Sequence, residues 1–123
     1  MTSRHSFYVQ EAISEAKWSI MRIKHGCIIV HRTTILSRAH NSSERSDHNK
    51  FSVHAEVAAI QNMNKNRIKV ESTTMYVVRI NSKDMDKDDR DTRTMNSRPC
   101  LDCMRCINHH KVKRVYFTSI DSI

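Results

Sequence analysis

The sequence predicts an α/β fold in which helices pack on a mixed sheet. Three observations carry the prediction. Apolar residues recur at helical spacing in 6–22 and 53–64, and Pro99 opens a further helical segment, 101–110. Short β-branched runs separate them, at 27–30, 34–37, 73–80 and 114–118. The resulting order is α-β-β-α-β-α-β, and 123 residues suffice for a single domain, 1–123, with one core.

Each element has its own signal. In the first helix Val9, Ala12, Ile13, Ala16, Ile20 and Ile23 form the apolar stripe, with Glu11, Glu15, Lys17 and Arg22 on other faces. Trp18 and Met21 are expected on the same helix as packing or interface residues. Gly26 is expected to end it through a positive φ. The runs 27–30 and 34–37, joined by His31-Arg32-Thr33, read as a hairpin. Residues 40–52 read as a polar loop. In the second helix Ala55, Ala58 and Ala59 make a small face that allows close approach to a sheet. Residues 73–80 are the clearest strand. The segment 81–96 is almost wholly polar and reads as a long mobile loop that buries nothing. Pro99 opens the third helix, and His109 and His110 suit its C-terminal end.

Bulk properties exclude some function classes. No run of 18 apolar residues is present, so no transmembrane helix and no membrane partner are expected. The N-terminus lacks the apolar core of a secretion signal. Three of the four cysteines, Cys100, Cys103 and Cys106, sit within seven residues. That spacing suits reduced thiols used for metal and a cytoplasmic location better than a disulfide framework. The net charge of +8 attracts phosphates at long range, which serves solubility or a nucleic-acid partner equally.

The chemistry lies in two short motifs, His54-Ala55-Glu56 and Pro99-Cys100-Leu101-Asp102-Cys103. One imidazole and two thiols supply three ligands to a tetrahedral Zn²⁺ and leave a fourth position for water. Glu56 is placed as an acid/base rather than a ligand. His54 and the Cys pair belong to the opening turns of two helices, where the partial positive charge favours thiolate. The expected reaction is attack of a zinc-activated water on an amino-bearing sp² carbon, with ammonia leaving. A closed structural site recruiting Cys106 and Cys27 is the plain alternative. Cys106 rotates away from Cys100 along the helix and reads better as a small core residue.

These residues resemble the zinc-dependent cytidine/deoxycytidylate deaminase superfamily, which also includes enzymes acting on tRNA and on other polynucleotides. Lys24-His25-Gly26-Cys27-Ile28-Ile29-Val30 is similar to its first strand, with Cys27 where Ala is usual. Arg38-Ala39-His40-Asn41 is similar to the segment whose Asn contacts sugar or base. The H-A-E and P-C-x-x-C motifs match at 54–56 and 99–103, and Lys113-Arg114-Val115-Tyr116-Phe117 matches the following strand. The resemblance implies a three-layer α-β-α, cytidine deaminase-like fold with about four strands here. It implies zinc on His54, Cys100 and Cys103, proton transfer by Glu56, and substrate contacts from Asn41 and the Ala55 backbone N–H. The implied substrate is a free cytidine or deoxycytidine nucleoside or nucleotide. A deaminase of nucleic acid and a non-enzymatic assembly subunit are the alternatives. An uncovered fourth strand points to a homo-oligomer.

Overall fold

The computed structural model describes residues 3–45, 50–65, 72–110 and 112–119. Helix α1 spans Ser3–Ala16, followed by strands β1 (Lys24–His31) and β2 (Thr34–His40). A small hairpin of β3 (Ser42–Arg45) and β4 (Lys50–Val53) leads into α2 (Ala55–Lys65). Then come β5 (Thr73–Ile80), β6 (Thr94–Met95), α3 (Leu101–His109) and β7 (Val112–Phe117).

The main sheet runs β2-β1-β5, with β7 and the two-residue β6 both pairing with β5. It is mixed: β7 lies parallel to β5 and the other pairs are antiparallel. The central strands β1 and β5 are buried on both faces, which explains their near-continuous apolar runs. Alternation sorts their side chains. Ile28, Val30, Tyr76, Val78 and Ile80 face α1, where Tyr8, Ala12, Ile13 and Ala16 meet them. Cys27, Ile29, Met75 and Val77 face the other layer, with Ala55, Ala59 and Ile60 of α2 and Ile107 of α3. Ile28 and Ile29 are wholly buried, each contributing about 1.5–3 kcal/mol relative to exposure. This is the expected three-layer arrangement.

Four local expectations are corrected. Helix α1 stops at Ala16, short of residue 22. The chain tightens through Trp18 N–H to Glu15 O and Ser19 N–H to Ala16 O, both 3₁₀-type bonds. Trp18 and Ile20 are therefore exposed, at 72% and 89%, and Met21 also lies beyond the helix. Gly26 does not cap the helix and has no positive φ. It lies in β1 beneath α1, where a Cβ would stand 2.1 Å from the Ala12 carbonyl oxygen. Its role is close approach of helix to sheet. The polar loop 40–52 instead contains β3 and β4.

The segment 81–96 also departs from expectation. It carries two 3₁₀ turns and β6, and Asp84 within it is 1% exposed. The Arg93 backbone N–H and Nε both donate to Asp84 Oδ2 at 2.9 Å, and Lys87 Nζ lies 3.3 Å from Oδ1. Those donors hold the Asp84 carboxyl well below its ordinary range. Lys17 of the α1 end pairs with Asp89 at 2.9 Å and ties the segment to the body. A polar sequence thus forms structure by neutralising its own charges. Among the described residues no helix is long and apolar enough to cross a membrane.

Candidate metal centre

His54 precedes α2, and its carbonyl accepts from the Ala58 N–H at 3.0 Å, so it occupies the N-cap position. Cys100 is the N-cap of α3, one residue earlier than an opening-turn position, and its Sγ accepts from the Cys103 N–H at 3.5 Å. The Ser97 hydroxyl donates to the Val77 carbonyl at 2.8 Å, anchoring the approach to Pro99 on β5. Two helix starts therefore meet at one end of the sheet.

The ligand atoms of His54, Cys100 and Cys103 all lie within 4.8 Å of one another. His54 Nδ1 is 3.1 Å from Cys103 Sγ and 3.7 Å from Cys100 Sγ. A tetrahedral zinc with ordinary bonds separates its N and S ligands by roughly 3.6 Å, so the donor set fits that ion. Cys103 is buried while His54 and Cys100 are exposed, which leaves the open side toward solvent. Cys106 lies instead beside His110 Nδ1 at 3.9 Å, and neither it nor Cys27 joins the cluster. The closed four-cysteine site is not formed.

Electrostatics favour a cation here. Burial, then Glu56 and Cys100, push the Cys103 thiol far above its ordinary range. Burial likewise raises the Glu56 carboxyl, against opposing hydrogen bonds and His54. Glu56 is 5% exposed. The Cys103 thiol and the Glu56 carboxyl therefore crowd together where a positive charge would favour their ionised forms.

A cleft of about 380 Å³ opens onto this cluster. Ala55, Glu56 and Asn41 line it, together with Arg22, His25 and Arg98. Of the expected site residues, Asn41, His54, Ala55, Glu56 and Cys100 line the cleft, and buried Cys103 lies behind it against His54. Asn41 is already engaged: its Oδ1 accepts from the His25 N–H at 2.9 Å and its Nδ2 donates to the Ile23 carbonyl at 2.7 Å. Ser19 Oγ donates to the Asn41 carbonyl at 3.0 Å, so these bonds hold the rim 19–25 over the cleft. Burial, with Arg79 and His54, pushes the His25 imidazole down to about 4, leaving it neutral. Sequence patterning gave no signal for Arg22, which it placed on a helix face. Arg98 was legible only as a neighbour of Pro99. The histidine pair behaves as expected of a helix end, with His110 Nδ1 2.9 Å from the Cys106 carbonyl oxygen.

Comparison with known proteins agrees with this geometry. Residues 2–119 match the family model described as the cytidine and deoxycytidylate deaminase zinc-binding region. A tRNA-specific adenosine deaminase of Streptococcus pyogenes serotype M18 is 36% identical over 76 residues, 58% of this chain and 46% of that protein. A serotype M1 relative of the same description is also 36% identical, with 43% of it covered. The chain thus spans less than half of these curated relatives. Among solved structures, the apo dCMP deaminase of cyanophage S-TIM5 superposes with a TM-score of 0.71 at 24% identity, covering 100% of this chain and 90% of that one. The same phage enzyme with dCMP and dUMP gives 0.66 at 23% identity, covering 95% and 82%. By the match over nearly its whole length, and with His54, Cys100 and Cys103 positioned to hold a metal ion, the chain belongs to the zinc-binding cytidine and deoxycytidylate deaminase family.

Proposed function

We propose that the protein is a hydrolytic deaminase of a cytosine base carried on a free, phosphorylated nucleoside. The observation that carries the reading is the cluster of three metal donors beside an open cleft that His54, Cys100 and buried Glu56 line. Zinc, when bound, supplies the Lewis acidity that makes water nucleophilic. Glu56, raised by burial, takes a proton from that water, passes one to the ring nitrogen and then serves the leaving amine. One water and one amino-bearing carbon yield a carbonyl and ammonia. The Ala55 N–H, in the first turn of α2 and free of an intrahelical acceptor, orients the base edge. Asn41 keeps one amide hydrogen and one lone pair for the sugar beyond its two rim bonds. Arg22 and Arg98 place positive charge at the cleft and favour a phosphate on the substrate. The phage relative's complex with dCMP and dUMP supports the same class. The outer edge of β7, paired only inward among the described residues, is where a second copy would add.

The tRNA deaminase relatives and the net charge of +8 favour a second reading, deamination within nucleic acid. Ammonia release from zinc-loaded protein separates the two. Deoxycytidylate is expected to exceed deoxycytidine by at least about tenfold in kcat/KM. Equal rates on both, or turnover confined to a tRNA stem-loop and falling steeply with salt, overturn the free-nucleotide reading.

A further inference from the structure

A second cleft, of about 510 Å³, lies on the α1 face at the other end of the sheet. Arg4, Arg32 and Arg114 line it with Tyr8 and Tyr116. Three distant parts of the sequence supply the guanidinium groups: the first turn of α1, the β1–β2 turn and β7. Arg32 sits there with φ 56, a left-handed conformation uncommon for its residue type. No acidic residue lines the cleft, and among the described residues none of the three arginines has an ion-pair partner. The other basic side chains with acids nearby do pair, as Lys17, Arg38 and Arg93 show.

The start of α1 adds an independent requirement. This helix has no acidic residue in its first turn and carries Arg4 there instead. A cation at the positive end of a helix dipole is unfavourable unless an anion joins it. Tyr116 stacks on Tyr76, with ring centroids 5.2 Å apart, and makes a firm wall for the cleft.

We propose that Arg4, Arg32 and Arg114 form an anion site that takes the phosphate groups of a ligand other than the substrate in the zinc cleft. Guanidinium forks match phosphate oxygens in pairs, and three of them match the charge of a polyphosphate or of successive phosphodiesters. The site is separate from the reaction centre. Thr74 lines it, whereas Arg79, five residues along β5, is paired with His25 of the zinc cleft. That interval is roughly 16 Å of strand, and the two clefts open on different layers. One phosphate source is a free polyphosphate, and the other is the backbone of a nucleic-acid strand.

The test is an amide chemical-shift titration of the zinc-loaded, full-length protein. One arm uses inorganic pyrophosphate. The other uses a short oligothymidylate, whose base has no amino group to lose. Shifts are expected around Arg32 and through 113–116. Pairing Arg32→Asn with Arg114→Gln is expected to weaken binding at least about tenfold, with zinc content and Tm unchanged. Arg98→Ala, in the zinc cleft, is expected to leave these shifts in place. Tighter binding of the oligonucleotide, with a salt dependence that flattens in the double variant, assigns the strand; the reverse order assigns the free polyphosphate. Shifts confined to the zinc cleft, or an affinity the double variant does not change, overturn the proposal. Binding rather than deamination is read, so the outcome is independent of the substrate reading above.

Discussion

Two clusters of buried ionisable groups invite comparison, the one around Glu56 and the one around Asp84. Both carboxyls are nearly inaccessible, at 5% and 1% exposure. Asp84 is met by Arg93 and Lys87 from its own segment, and its carboxyl is held ionised. Glu56 is met by the Cys103 thiol and the His54 imidazole, neither of them a permanent cation, and its carboxyl is raised by burial. The first cluster closes its charge balance internally and serves folding. The second is completed only by something from outside, which is what a metal-dependent reaction centre requires. A buried acid without an internal cation marks the working site more reliably than burial alone.

Three substitutions press on this contrast. Cys103→Ser carries the largest effect. Zinc content measured by atomic emission is expected to fall from about one per chain toward zero, with deamination lost and Tm lowered. Retention of zinc would break the assignment of Cys103 as ligand. Glu56→Gln comes next, slowing ammonia release by about 10²–10⁴-fold while zinc content stays. Its Tm is expected to be unchanged or higher, because a neutral amide suits a site that disfavours the charged carboxyl. A large fall in Tm with normal turnover would reverse the comparison.

Asp84→Asn has the smallest effect and the opposite pattern. Tm is expected to fall by a few degrees at neutral pH, with kcat unchanged per folded molecule. The sign of its pH dependence follows from the depressed carboxyl. The folded state holds fewer protons than the unfolded chain, so the stabilisation is present above the ordinary value of 3.8 and lost as pH falls below it. A wild-type acid-unfolding limb below about pH 4 should flatten in the variant. Identical limbs in the two proteins would remove Asp84 from its structural role.

The same physics separates what was readable in the chain from what was not. Strand β5 was legible to the residue, because its eight-residue length and β-branched and aromatic side chains suit a strand buried on both faces better than a helix. The second helix was legible from its small alanine face and the third from Pro99 at its opening. The end of α1 was not. Ile20 and Ile23 continue the helical spacing, yet the chain leaves the helix at Ala16 to build the rim of the cleft. The double role of Asn41 was half visible: its place on the cleft was expected, but its bonds to Ile23 and His25 depend on a rim that only the fold assembles.

The sequence by itself determined the identity and number of the donor atoms. Histidine, two cysteines and a glutamate at their spacings admit little other chemistry, because ligand type and local helix geometry are short-range properties. The tertiary structure decided which charges are left unpaired. Arg22 and Arg98 beside the zinc, and Arg4, Arg32 and Arg114 on the opposite layer, come from segments far apart in the chain. Their meaning lies in convergence, and Coulomb interaction depends on distance in space, which only the folded chain sets.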